Sequence, residues 1–208
     1  MDPWQNTQDL SLRPEVRAYW QSLGRFVTEF ASLESAMQLA LWHYANVSPN
    51  IGRAVFSGVR ADAAMGLIKR ISEVEKWEKS KKDTTDELFV HLASINSVRN
   101  DLIHFGVQPV GDGSWQITNA FLALTEGRMK KHPISDKILD QMTHDLRKII
   151  YSLFLLVVDA ASAQNLLATF QQQADAPWQY KPAQQSNSPG KSLKNSRARQ
   201  RRHQPSRA

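Results

Sequence analysis

Ile95-Asn96-Ser97-Val98-Arg99-Asn100-Asp101-Leu102-Ile103-His104-Phe105-Gly106 is the stretch on which the reading of this chain turns. With Leu88 and Leu92 upstream, Ile95 and Leu102 make an apolar stripe at helical spacing. At about 100° per residue, Arg99 falls inside that stripe. A cation there must be paired, or must line an interface or a site, because an unpaired buried charge is very costly. His104 stands roughly 140° further round, one turn beyond Asn100. A guanidinium for phosphate beside an imidazole able to move a proton is what metal-free RNA cleavage requires. Gly106 then takes the place of a helix-closing glycine.

Arg-polar-x-x-x-His, late in a helix of a small helical protein, resembles the HEPN superfamily (higher eukaryote and prokaryote nucleotide-binding). Asn100 fits the polar residue after the family's Arg, and Leu102-Ile103 fits the apolar lead-in to its His. The resemblance implies a metal-independent ribonuclease whose Arg/His motif is doubled by homodimerisation, with no cofactor. Some toxin members continue His-x-Tyr. Gly106 stands where that tyrosine would be, so regulation through it is not implied.

The 208 residues, 41% of them apolar, suffice for one well-filled domain and a tail. The chain has no cysteine, so disulfides, Cys-ligated zinc and thiol nucleophiles are excluded. Met1-Asp2-Pro3-Trp4 lacks the features of a signal peptide. The most apolar run, 149–158, is shorter than the roughly 20 residues that span a bilayer. These features read as a soluble, cytoplasmic protein without membrane contact. The net charge of +6 is unevenly placed. Residues 1–172 hold 18 Lys/Arg against 19 Asp/Glu, whereas residues 173–208 hold 8 against Asp175 alone. Basicity therefore belongs to the tail, where Arg197-Ala198-Arg199-Gln200-Arg201-Arg202 suits salt-sensitive phosphate binding.

Working outward from the motif, a first helix starts at Pro14 and carries Leu23, Phe26, Val27, Phe30, Leu33, Met37, Leu41 and Tyr44 at helical spacing. A second spans about 51–77, with Val55, Val59, Leu67, Ile68, Ile71 and Val74 as core positions and Gly58 and Gly66 as possible breaks. Lys79 to Asp83 reads as a charged loop, with Thr84 or Thr85 capping the motif helix. After Gly106, Gly111-Asp112-Gly113 suggests a turn in a β-hairpin that includes 115–118 and 121–124. Ser135 caps a last helix running to about Gln171. From there the chain is Gln-, Pro-, Ser-, Lys- and Arg-rich and reads as disordered.

Glu34 sits inside the apolar face of the first helix, between Val27 and Leu41. A Glu34–Arg99 ion pair follows, either as a structural bridge or as the device that aims Arg99 at a phosphate. His104 either caps its helix electrostatically or serves as general base. Asn96 and Asn100, each one turn before the next, are placed to orient the imidazole or a substrate. Asp101 points away from Arg99 and reads as solvated. No H-x-x-x-H or E-x-x-H pair and no glycine-rich phosphate loop occurs, so no metal site is expected.

The expected fold is all-α: a HEPN-like bundle of four to five helices with a small β-hairpin before the last long helix. The expected divisions are an N-terminal arm 1–12, a helical domain 13–172 and a basic tail 173–208. The expected function is a homodimeric, metal-independent endoribonuclease in a defence or toxin–antitoxin setting. Arg99, His104 and Asn100 would be catalytic, Glu34 and Asn96 orienting, and the tail would hold RNA. An antitoxin or regulatory protein is a further expected partner. The alternative is a non-catalytic HEPN-like module binding RNA, a nucleotide or a protein.

Overall fold

The computed structural model describes residues 13–110, 114–120, 122–126, 129, 131–157 and 164–182. Pro14 opens α1 (Pro14–Tyr44), where its fixed φ suits the first helical position. Glu15 follows in the first turn, favourably placed at the positive end of the helix dipole. Asn46, in the left-handed region at φ 53°, turns the chain beyond the helix end. Ser48 then caps α2 (Pro49–Phe56) by accepting the Ile51 N–H.

Of the two breaks expected in the helix over 51–77, the one at Gly58 occurs. Residues 57–60 interrupt that helix, with Gly58 at φ 81°, and α3 (Ala61–Val74) follows. Gly66 stays within α3. Ile68 is buried as expected, whereas Val55 and Val74, expected in the core, are exposed, and α3 buries Ala61 and Ala64 beside Ile68.

The motif helix, α4 (Lys79–Phe105), begins before Thr84, so the expected charged loop is helical. Lys79 and Asp83 pair one turn apart at 2.5 Å, and Lys82 reaches Glu73 of α3. The Thr84 and Thr85 hydroxyls donate back to the carbonyls of Ser80 and Lys81 rather than capping.

Three antiparallel strands follow: β1 (Val107–Pro109), β2 (Trp115–Thr118) and β3 (Lys131–Ile134), with β2 in the middle. The β1–β2 hairpin agrees with expectation, but 121–124 does not supply a strand. Leu122 and Leu124 are exposed there, and position 121 and the turn 111–113 lie outside the described residues. Instead β3 pairs with β2, Ile134 opposite Trp115 and His132 opposite Ile117. Pro109 and Pro133 both fall on outer strands, where a missing N–H is tolerated.

Ser135 accepts the Ile138 N–H and caps α5 (Asp136–Val157), as expected. α6 (Gln164–Ala174) packs back on α5, with the Tyr151 and Phe170 rings 5.1 Å apart. In one continuous helix those residues would be about 28 Å apart, so the expected single last helix is two antiparallel ones. The core joins Phe26, Leu33, Met37 and Leu41 of α1 to Leu139, Met142, Leu146 and Ile149 of α5. Leu92 and Ile95 of α4 and Ile117 and Ile134 of the sheet complete it.

The boundary expected at residue 172 falls inside α6, and packing continues to Tyr180. The fully buried Asp145 carboxylate accepts the backbone N–H groups of Gln179 (2.9 Å) and Tyr180 (2.8 Å). The Trp178 ring stacks on His91, and its indole N–H donates to Glu87. Residues 1–12 and 183–208 lie outside the described residues. Among the described residues, no helix is long and apolar enough to cross a membrane.

Candidate active site

Arg99 reaches from α4 onto α1, its Cζ 5.0 Å from the centroid of the Phe30 ring. Its Nη1 donates to Asn100 Oδ1 at 3.0 Å. The side chain is half-buried, and its charge meets an aromatic face and a neutral amide. The expected ion pair with Glu34 is not formed, and among the described residues Arg99 has no acidic partner. Phe30, one turn before Glu34, takes the guanidinium instead. Glu34 does share two hollows with Arg99. One, of about 100 Å³, is walled by Phe26, Phe30 and Leu102. The other, of about 510 Å³, opens toward the α2–α3 connection.

His104 is exposed in the last turn of α4, one turn beyond Asn100. A cation at a helix C-terminus is favoured by the dipole. Gly106 stops the helix two residues later at φ 71°, ψ −172°, a conformation that only glycine adopts readily. Its N–H donates to the Leu102 carbonyl at 3.2 Å. The motif thus ends at an abrupt exit into β1. Asn96 is half-buried one turn before Asn100 and lines neither of Arg99's hollows.

Asp101 departs from its expected solvated place. It is 8% exposed, and His132 Nε2 of β3 lies 3.4 Å from its Oδ2. The unanticipated third strand supplies that partner. Asp101 and His132 line a cavity of about 350 Å³ with Ser97, Gln141 and Lys181, on the side of α4 away from Arg99. That cavity shares no residue with either Arg99 hollow.

Beside the motif, large apolar side chains face outward. Trp20 is 59% exposed, Val27 48% and Ile103 52%. They line a shallow cavity of about 250 Å³ with Leu102, Gly106 and Trp115. Val27, Leu102 and Ile103 continue into the smaller Arg99 hollow, so one apolar surface runs from Trp20 to the guanidinium.

Helical spacing therefore places Arg99 beside Asn100 and His104 one turn beyond Asn100, but misses Arg60, which lines the wider hollow from the α2–α3 connection. It also misses Asp145, although an acid between Met142 and Leu146 is as conspicuous as Glu34. Among the described residues, no cluster of three His, Asp or Glu is placed to hold a metal ion. No family model, curated protein or solved structure matches this chain.

Proposed function

We propose that this protein is a homodimeric, metal-independent endoribonuclease of HEPN type. The observation that carries the reading is the Arg99 guanidinium, steadied by Phe30 and Asn100 without an acidic partner among the described residues, one turn and a half from the exposed His104. A structural bridge to Glu34 would have occupied that charge. Left without one, Arg99 keeps donors for a phosphate.

In the reaction, His104 takes the proton of an RNA 2′-hydroxyl, and the 2′-oxygen attacks the adjacent phosphorus. Arg99 stabilises the negative charge that grows on the phosphoryl oxygens. The 5′-oxygen leaves and takes a proton from water, giving a 2′,3′-cyclic phosphate and a 5′-hydroxyl, and His104 returns its proton to solvent. Asn100 positions the guanidinium through its Oδ1. The apolar surface from Trp20 to Ile103 supports dimerisation, since a second copy would cover it and bring two motif ends together across a two-fold axis.

The test is incubation of purified protein with mixed RNA in EDTA, wild type against His104→Ala, with end-group analysis. Cleavage by wild type alone, with 2′,3′-cyclic ends, is expected. RNA that is bound but stays intact would overturn the enzyme reading in favour of a binding module.

A further inference from the structure

The wider hollow beside Arg99 carries more than one cation. Its floor is a single face of α1, where Glu34, Ser35 and Gln38 recur at helical spacing. Its far wall is the connection between α2 and α3, which contributes Arg60. Gln38 fixes that wall, donating from Nε2 to the Val59 carbonyl at 2.6 Å. Arg60 is thus attached to an anchored turn. It is exposed, and among the described residues it has no acidic partner.

Two arginines and one glutamate therefore line one open hollow of about 510 Å³. Guanidiniums bind phosphate oxygens with paired N–H donors, and a carboxylate accepts only from donors such as a ribose hydroxyl. Alternating phosphates and hydroxyls are the backbone of RNA, and the 2′-hydroxyl is what DNA lacks. We infer that Arg60 binds the phosphate next to the one held by Arg99, with Glu34 accepting from the intervening ribose hydroxyl. The inference rests on the ribonuclease reading of Arg99 and extends it to the neighbouring nucleotide. It gives Glu34 a role that its missing ion pair leaves open.

Binding of a fluorescein-labelled single-stranded RNA to the full-length His104→Ala protein, measured by anisotropy over a range of KCl, tests it. Adding Arg60→Gln should weaken binding about tenfold, the size of one charge-assisted contact. The slope of log affinity against log salt should fall by about 0.7, one phosphate on a single strand. Arg60→Lys should keep the slope, and Glu34→Gln should reduce the preference for RNA over DNA of the same sequence. Unchanged melting temperatures confirm that each variant folds. If Arg60→Gln binds RNA with its parent's affinity and slope while wild type cleaves RNA, the Arg60 subsite is wrong and the active-site reading stands. If Arg60→Gln weakens binding but wild type leaves RNA intact, the subsite stands and the cleavage reading falls. Absence of RNA binding by the parent protein overturns the subsite, and together with absence of cleavage by wild type it overturns both.

Discussion

The Arg99 guanidinium rests on the Phe30 ring, with Cζ 5.0 Å from its centroid, and not on the Glu34 carboxylate. The two residues still line the same two hollows without bonding to each other. That arrangement separates the role of Arg99 from the stability of the helix packing.

Glu34→Ala should accordingly cost little in stability, under about 1 kcal/mol by urea unfolding, as for a partly exposed polar site. Breaking a buried ion pair would cost roughly 3–5 kcal/mol. A loss of that larger size would mean that the pair forms in solution.

Asp145 makes the opposite prediction. It is fully buried and holds two backbone N–H groups, so Asp145→Ala strands both donors. Each unsatisfied group costs about 1–3 kcal/mol, and the sum is a large share of a domain's stability. Truncation after residue 174 should also lower the melting temperature relative to truncation after residue 182. Equal melting of the two truncations would show that Trp178 and Tyr180 add nothing to the fold.

Tyr19 gives a pH-dependent signature. Burial pushes its phenol up to about 12, and among the described residues its hydroxyl has no hydrogen-bond partner. Burial likewise raises Tyr44 to about 12. The native state then keeps these protons where the unfolded chain, with an ordinary phenol near pH 10, releases them. Stability contributed this way is full below pH 10 and is lost as pH rises toward 12. Tyr19→Phe should leave stability at pH 7 equal or slightly higher, since no hydrogen bond is lost, and should flatten the alkaline decline. A large drop at pH 7 would contradict the unpartnered hydroxyl.

Ile103→Asp should convert the proposed dimer to a monomer at micromolar concentration, read by sedimentation velocity, without unfolding the chain. Ile103 is half-exposed in one copy, so the substitution costs the monomer little. In a covered interface an unpaired carboxylate costs several kcal/mol. A variant that sediments like wild type would place the dimer contact elsewhere.

What the sequence disclosed follows from how local each signal is. Pro14, Ser135 and Gly106 act on their own turns of chain, and all three stand where the residue type demands. The start of α4 was hidden because Lys79, Lys82 and Asp83 resemble a loop in composition, whereas in the fold they form its first turns, Lys79 pairing with Asp83 and Lys82 with Glu73. The third strand was hidden because His132-Pro133 has little strand character of its own and is fixed by pairing with β2. With that strand unseen, the partner of Asp101 could not be found. A helical wheel put Glu34 and Arg99 on facing surfaces, but it carries no information about which side chain one turn away lies closer, and Phe30 does. Arg60 follows Gly58-Val59 in a connection, where periodicity says nothing about which hollow a side chain faces.

Mixing Arg99→Ala with His104→Ala subunits tests the central claim most directly. Each homodimer lacks one member of the Arg/His pair in both copies. The mixed dimer keeps one wild-type Arg99 and one wild-type His104, contributed by opposite chains. Measured as RNA cleavage in EDTA, the mixture should regain part of the wild-type rate while neither parent cleaves. A mixture as inactive as its parents, under conditions where wild type cleaves and the mixed dimer is seen to form, would contradict a site built from two subunits.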